Sequence, residues 1–471
     1  MIAALAQNEW RSLWRSGVFV GLAAGMLALS IGAASLSFQR ITTFDRERAA
    51  AEAVDREVWD NQGERNPHSA AHFARYAFKP IPRLAGFDPG VTDYTGLALW
   101  MEAHHQNPAV FRRAEDLGDA GRFADLSPAW ILQYAAPLFL FLILFGSVAG
   151  EREQGTLRQL AATGLPSRAI LLGKLSGAGL AALTIITPTL LLSLLVISTS
   201  GGVTLSDIGV RTIGLVLAYA LYLTAILGIA IGVSALAREK RTALIALVAV
   251  WASAFVLLPR ITAGLAVAIH PSPAASSMEN QLGEASMAYY VDEELQESLK
   301  ASLLAENGVD KVEDLPFDYN GYTLQFSEEH AHPLFEAVYD RLDRTYQRQD
   351  GLLALASLVS PVLAIDALSA GLAGTDRLHH DTFRWDAEAH RRTTVKALND
   401  DMTYNSGNAG YAHIANEALW HQIEDFDHTP PPFSSIWARY WLNILVLMAY
   451  AVGGMVFAVF AMGRAQREIA R

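Results

Sequence analysis

The sequence predicts an all-α membrane protein with six transmembrane helices and two mainly helical extracytoplasmic inserts. Of its 471 residues, 52% are hydrophobic and only 18% are charged. This balance is seldom found in soluble chains that carry 48 acidic groups. The apolar residues are concentrated in six runs that are nearly free of charge, and no alternation of period two is long enough to indicate a sheet.

Each apolar run is long enough to cross a bilayer, because a hydrocarbon core of about 30 Å requires roughly 20 helical residues. The first run is too long for a signal peptide and lacks a clear small-residue cleavage site, so we expect it to remain as an anchor. The predicted spans are 18–38, 130–149, 171–198, 213–236, 242–258 and 441–462.

The basic residues predict the orientation of the spans. The two termini and the two short loops, which six spans place on one side, hold 12 basic and 5 acidic residues. Short basic loops stay in the cytoplasm, whereas long domains cross largely regardless of charge. We therefore expect both termini to be cytoplasmic. The net charge of −12 comes mostly from the second insert and gives no support to nucleic-acid binding.

The spans divide the chain into five parts. These are an interfacial helix with the first span (1–38), a first insert (39–128), spans two to five with a cytoplasmic loop at 150–170 (129–269), a second insert (270–435), and the last span with its tail (436–471). An apolar segment at 351–374 contains Asp366, and a carboxylate at mid-membrane costs about 3 kcal/mol. We therefore expect it to be a helix of the insert or of the membrane surface, the alternative being a seventh span.

Helical composition predicts several further elements. We expect the first span to continue as a helix. Residues 9–15, which mix Trp with Arg, are expected to lie in the membrane interface, the alternative being a plain positive anchor. The chain contains no cysteine, which excludes disulfides and thiolate metal sites. The predicted helices of the inserts are 40–61, 92–106, 286–306, 336–349 and 382–397.

A short charged segment at 151–160 lies between two spans and is the most informative motif. Glu151 and Glu153 fall in its first turn, where the helix dipole favours negative charge, and Leu157 and Leu160 share a face. We expect one short helix that docks a soluble partner, or alternatively an amphipathic helix in the membrane interface.

The run Glu-Arg-Glu-Gln-Gly-Thr-Leu-Arg-Gln-Leu at 151–160, followed by Gly-Leu-Pro-Ser-Arg at 164–168 and by Gly173-Lys174, resembles the cytoplasmic loop of type-2 ABC transporter permeases. In that family the loop forms a coupling helix that contacts the ATPase subunit. The order of the spans and the N-terminal interfacial helix agree with the family over about half of the chain. The long inserts resemble those of a subgroup with large extracytoplasmic inserts, known only as a domain of unknown function.

The resemblance implies a multi-pass permease subunit of the bacterial inner membrane that is not itself an enzyme. The chain has no Gly-x-x-x-x-Gly-Lys-Ser/Thr phosphate loop and no cofactor of its own, so ATP and Mg would be bound by a separate ABC ATPase subunit. A second permease chain, identical or similar, and membrane lipid complete the expected partners. The residues implied in contact with the ATPase are Glu151, Arg152, Glu153, Gly155, Thr156, Leu157 and Leu160.

Three functions remain open from the sequence. The first is an exporter, the second is a mechanotransducer that acts on an extracytoplasmic partner without transport, and the third is a membrane-anchored metal-binding protein. All 13 histidines lie in the inserts, and His68 and His72 have the spacing of a metal-ligand pair, although scattered solvated or core histidines are the alternative. The near absence of charge from the spans argues against a proton-coupled carrier.

Small residues in the spans suggest close helix packing. These glycines either pack against a second permease chain or against helices of the same chain. They are Gly173, Gly177, Gly179, Gly228 and Gly232.

Overall fold

The computed structural model describes residues 1–116, 126–199 and 205–470. Six helices in these ranges are long and apolar enough to cross a membrane, which confirms the predicted number of spans. These helical stretches are Gly17–Asp60, Pro128–Glu153, Ser167–Ser198, Asp207–Leu236, Lys240–Ile269 and Phe433–Ile469. The segment 351–374 is not among them, because it is broken after Ala356 and its second part is a helix of 13 residues. Such a helix is about 20 Å long, which is too short to cross a bilayer.

The helices are numbered in chain order. The N-terminal half contains α1 (Ile2–Arg15), α2 (Gly17–Asp60), α3 (Pro67–Phe73), α4 (Arg113–Asp116), α5 (Pro128–Trp130), α6 (Ala136–Leu144), α7 (Ala149–Glu153), α8 (Thr156–Ala162), α9 (Ser167–Thr199) and α10 (Leu205–Leu236). The C-terminal half contains α11 (Lys240–Trp251), α12 (Leu258–Ile269), α13 (Ala275–Met287), α14 (Glu293–Asn307), α15 (Tyr319–Ala356), α16 (Pro361–Ala373), α17 (Arg377–Asn405), α18 (Glu417–Trp420) and α19 (Phe433–Ala470). Single π-helical turns join α5 to α6 and α11 to α12.

The N-terminal helix α1 packs across α9, on one side of the spans. Helix α1 ends at Arg15. The hydroxyl of the next residue, Ser16, accepts a hydrogen bond from the Phe19 N–H at 3.2 Å and so caps α2. The rings of Trp10, Trp14 and Phe19 form an edge-to-face cluster with centroids 5.4–5.9 Å apart. These contacts hold the junction between the two helices.

The small residues of the spans pack mainly within the chain. Gly228 of α10 lies against the backbone of Gly454 in α19, and Gly232 lies against the ring of Phe457. Gly173 and Gly177 lie beneath α1, where a Cβ atom would clash with Leu5 and Glu9 respectively. The space beside Gly179 is open. Four of the five glycines thus serve close packing between helices of one chain.

The two inserts pack against each other and form a joint helical body. The helix α2 continues from the first span to Asp60, as predicted, and carries Trp59 to a buried edge-to-face contact with Trp420. The indole N–H of Trp59 donates to the Trp420 carbonyl at 3.0 Å. Helix α3 packs on α17 through Ala70 and Ala71, which are buried.

The prediction of a helix over 92–106 is wrong. This region contains a 3₁₀ turn, Thr92–Tyr94, and the strand β2, Ala98–Trp100, which pairs antiparallel with β1, Tyr76–Phe78. Leu99 is fully buried between this sheet and α17. The strand is stabilised by a partner about 20 residues away, which local helical composition does not reveal.

The predicted helix 286–306 is also shorter than expected. The helix α13 ends at Met287, and α14 begins only at Glu293. The carboxylate of Asp292 accepts from the Leu295 N–H at 2.9 Å and caps the start of α14. The predicted helices 40–61, 336–349 and 382–397 lie within α2, α15 and α17, except for Asn61 at the end of α2.

Candidate functional site

The charged loop is not the single helix that the sequence predicts. It consists of the two short helices α7 and α8, which meet at Gly155. Gly155 has φ +76°, a left-handed conformation that glycine adopts at little cost. The glycine therefore bends the loop and separates its acidic beginning from Leu157 and Leu160.

A buried ion-pair cluster attaches the loop to α1 and α9. The Lys174 ammonium lies 2.7 Å from Glu9 Oε2 and 2.6 Å from Glu151 Oε1, and its side chain is 6% exposed. Lys174 also donates to the Ser147 carbonyl at 2.7 Å, and the Ser147 hydroxyl donates to Glu9 at 2.5 Å. One cation thus joins three helices, with two carboxylates and a carbonyl as its acceptors.

Arg152 and Glu153, which follow Glu151, bond to the junction between the fourth and fifth spans. Arg152 donates to the carbonyls of Ala235 and Ala237 at 2.9 and 3.0 Å, at the end of α10. Glu153 accepts from the Lys240 N–H at 2.7 Å, at the start of α11. A cation at a helix C-terminus and an anion at an N-terminus both complement the helix dipole. The loop is therefore attached to four helices, α1, α9, α10 and α11.

The residues predicted to contact a partner divide into two sets. Glu151, Arg152 and Thr156 are partly covered and bonded within the loop or to the spans. Leu157 is buried in the main core, and Leu160 packs against it. Of the predicted residues, only Glu153 and Gly155 are exposed. Three residues of the loop that the prediction omitted are also exposed, namely Gln154, Arg158 and Gln159. We define the outer face of the loop by the exposed residues Gln154, Gly155, Arg158 and Gln159.

A cavity of about 580 Å³ lies between the ends of the spans and the inserts. Asp88 accepts a hydrogen bond from Ser369, and Asp376 accepts one from Tyr440. Burial, with a smaller contribution from Asp88, raises the pKa of Asp366 to about 7. The carboxylates in the wall are Asp88, Asp350, Asp366 and Asp376. Arg377 and Arg439 also line the wall and both bond to Asp350, at 2.8 and 3.1 Å, so the cavity holds charges of both signs beside Ala, Leu and Tyr side chains.

A second polar cluster lies in the joint body of the inserts and contains three histidines. His68 and His72 share a face of α3, as predicted, with their Nε2 atoms 3.2 Å apart. The helix begins at Asn66, whose side-chain oxygen accepts from the His68 N–H at 2.9 Å. The third histidine, His104, lies in a turn, and its ring centroid is 5.1 Å from that of His68 and 5.3 Å from that of His72.

A buried carboxylate from the second insert holds His104 in place. Glu328 Oε1 lies 3.0 Å from His104 Nδ1 and also accepts from the His104 backbone N–H. Glu328 Oε2 accepts from Arg391 at 3.0 Å, and Arg391 donates to both oxygens of Glu388 at 2.8 and 2.9 Å. The His104 backbone has φ +61°, which is uncommon for a residue with a side chain. Residue spacing did not indicate His104 as a member of this cluster, because it lies 32 residues beyond His72.

The environment of the cluster favours uncharged imidazoles at His68 and His72. Burial, followed by the neighbouring His104 and His72, lowers the pKa of His68 to about 4, and burial and His104 also lower the pKa of His72. Burial alone would raise the pKa of Glu328, but the hydrogen bond from His104 and the charge of Arg391 outweigh it and lower this pKa to about 2. The site therefore combines neutral imidazoles at His68 and His72 with an ionised carboxylate behind His104.

Comparison with known proteins gives one match. Residues 279–429 match the family described as a domain of unknown function (DUF3526). The matched segment begins within α13 and extends beyond α18, so it covers most of the second insert and includes Glu328 and Arg391. Among proteins of curated function, none matches the chain.

Proposed function

We propose that the chain is the membrane-spanning permease subunit of an ATP-binding cassette transporter, exporting a substrate with energy from ATP hydrolysed by a separate subunit. The observation that carries this proposal is the attachment of the loop. Buried ion pairs and helix-end hydrogen bonds join α7 to α1, α9, α10 and α11, while the outer face is exposed. A force applied to such a face is transmitted to the spans instead of being absorbed by a flexible loop.

The proposal assigns ATP and Mg to the partner ATPase and no catalytic step to this chain. It requires a second permease chain. The span Lys240–Ile269 has only 17% of its most apolar window buried within the chain, so lipid or the second permease chain would cover the rest. The cavity between the ends of the spans and the inserts offers about 580 Å³ for a substrate, and its wall combines four carboxylates, Arg377 and Arg439 with apolar side chains.

A mechanotransducer is the second candidate function. It is favoured by the joint body of the inserts, in which α2 runs without interruption from the first span to the Trp59–Trp420 contact. Movement of the spans would reach a partner protein through this helix. Reconstitution of the intact complex in vesicles separates the two functions, since only an exporter moves a fluorescent amphipathic probe across the membrane when ATP is added.

The role of the outer face is tested with Gly155→Trp. Gly155 is exposed and has nothing within 4 Å of a Cβ position, so the indole fits sterically but projects into the surface that an ATPase would contact. The tagged full-length chain is isolated from its native membrane in mild detergent, and the co-purifying ATPase is identified by its phosphate-loop sequence and activity. We expect Gly155→Trp to lower the recovered ATPase about tenfold, equivalent to about 1.4 kcal/mol of binding.

The matched control is Gly308→Trp, since Gly308 is also exposed, has φ +64° and has nothing within 4 Å of a Cβ position. Both substitutions place a side chain in left-handed backbone, at a similar cost of about 1–2 kcal/mol. Gly308→Trp is therefore expected to retain the ATPase, unless backbone strain alone is enough to release it. Isolation of the wild-type chain without any ATPase, or equal recovery from both variants, would contradict the proposal.

The orientation is tested by labelling single cysteines, for which the natural absence of cysteine gives no background. Ser12 of α1 and Ser298 of α14 are both exposed, and Ser→Cys changes only one atom. In intact spheroplasts, a membrane-impermeant maleimide is expected to label Ser298→Cys and not Ser12→Cys, whereas both react after permeabilisation. The reverse pattern would place the loop and the inserts on the wrong sides for this function.

A further inference from the structure

We propose that His68, His72 and His104 bind one divalent transition-metal ion, with zinc(II) favoured by the geometry and a fourth coordination position left open. One potential ligand atom from each residue lies within 4.8 Å of the others. This inference is independent of the proposed ATPase partner, because the site lies in the joint body of the inserts and uses no residue of the loop.

The distances fit a tetrahedral ion. Two nitrogens bound to one zinc ion at about 2.0–2.1 Å lie about 3.3 Å apart when the arrangement is tetrahedral. They lie about 2.9 Å apart at the right angles that copper(II) prefers. The observed separation of 3.2 Å between His68 Nε2 and His72 Nε2 is close to the tetrahedral value. The remaining pairs need only rotation of side chains that already lie within 4.8 Å.

The orientation of His104 also fits a metal ligand. Its Nδ1 faces the Glu328 carboxylate, which accepts a hydrogen bond and so favours the tautomer with Nδ1–H. The lone pair of His104 Nε2 is then free for an ion. A carboxylate that bonds to a ligating histidine is common in metal sites, because it fixes the ring and increases the basicity of the ligand nitrogen. Glu328 is itself held by Arg391, whose side chain is fully buried.

The scaffold holds the three ligands before any ion is bound. The N-terminus of α3 is fixed by Asn66, which also donates to the His413 carbonyl at 3.0 Å. The turn that carries His104 is joined to α3 by the hydrogen bond from the Ala103 N–H to the Ala71 carbonyl, at 3.1 Å. Such preorganisation lowers the entropy lost when the metal binds.

The fourth position is accessible from solvent. His72 is exposed, and no fourth Asp, Glu, Cys or His joins the cluster among the residues that the structure describes. The ring of Tyr290 lies 5.8 Å from that of His104, and the ring of Tyr411 lies 5.8 Å from that of His68. Three imidazoles and one open position are typical of zinc sites that bind water or an external ligand, whereas structural zinc sites have four protein ligands.

The alternative is a hydrogen bond between His68 and His72 without any metal. To distinguish the two, the full-length protein is purified with an affinity tag that contains no histidine, stripped with a chelator and dialysed against zinc(II). Elemental analysis is expected to give one zinc ion per chain. Cobalt(II) is expected to replace it and to produce the intense visible absorption of a tetrahedral site.

The variants His72→Gln and His104→Gln test the ligand set, with His421→Gln as the control because His421 is exposed and lies outside the cluster. Competition with a chromophoric chelator is expected to show zinc affinity at least about 100-fold weaker in both ligand variants and unchanged in the control. The expected loss for Glu328→Gln, with all ligands retained, is about 10–100-fold.

The proposal is overturned if wild-type protein binds no zinc above background, or if the ligand variants bind it as tightly as wild type. Thermal unfolding of each stripped variant shows whether a ligand substitution has disrupted the fold. If a ligand variant unfolds, the test rests on the cobalt spectrum of the wild-type protein. Weak octahedral absorption would then contradict the tetrahedral three-histidine site.

Discussion

Lys174→Met is expected to destabilise the protein by about 3–5 kcal/mol and to separate the loop from the spans. The substitution leaves Glu9 and Glu151 without their shared cation, and Glu9 is only 7% exposed. Removing one partner of a buried ion pair costs this much because the remaining charge stays buried without compensation. Thermal unfolding of the purified protein, followed by intrinsic Trp fluorescence, measures the effect.

The same substitution at Lys396 is a matched control. Lys396 pairs with Asp400 on the exposed surface of α17, where an ion pair of this spacing contributes less than about 0.5 kcal/mol. Combining Lys174→Met with Glu9→Gln and Glu151→Gln is expected to recover part of the stability, because no buried charge then remains unpaired. Equal melting of Lys174→Met and Lys396→Met would show that the cluster does not hold the loop.

Arg391→Met is expected to cost a similar amount, about 3–5 kcal/mol, but in the joint body of the inserts. Arg391 is fully buried between Glu328 and Glu388, which are 2% and 1% exposed. Loss of the cation leaves the buried Glu328 without a guanidinium partner and Glu388 with Arg392 alone, and it removes the support of His104. Hydrogen exchange followed by mass spectrometry is expected to show faster exchange in α15 and α17 while the spans remain protected.

The control for this prediction is Arg344→Met, because Arg344 is exposed on α15. Its exchange pattern is expected to match that of wild type. If Arg391→Met leaves α15 and α17 as protected as in wild type, the ion-pair network does not stabilise the body. Reduced zinc affinity in Arg391→Met with unchanged exchange would instead assign Arg391 a positioning role for His104.

The elements that the sequence predicted well are those that depend on local composition. The six spans and the continuation of α2 to Asp60 follow from long runs of apolar residues and of good helix formers, which indicate a helix whatever surrounds it. The prediction for 92–106 failed because β2 depends on pairing with β1, and the loop prediction failed because Gly155 ends α7. The orientation of the spans and the ATPase partner stay predictions.

In the candidate sites, too, the sequence indicated local patterns but not contacts between distant residues. The sequence indicated the loop, His68 and His72, since each is a pattern of neighbouring residues. It did not show which residues of the loop face outward, nor that Lys174 lies between Glu9 and Glu151.

By itself, then, the sequence determined six helices long and apolar enough to cross a membrane, two large inserts and a charged loop between the second and third of these helices. Only the tertiary structure joined the inserts into one body and brought His104 and Glu328 to the histidine pair on α3. The physical reason is that hydropathy and helix propensity act over a few neighbouring residues. Buried ion pairs and ligand clusters depend on distances between groups that the chain separates by tens or hundreds of residues.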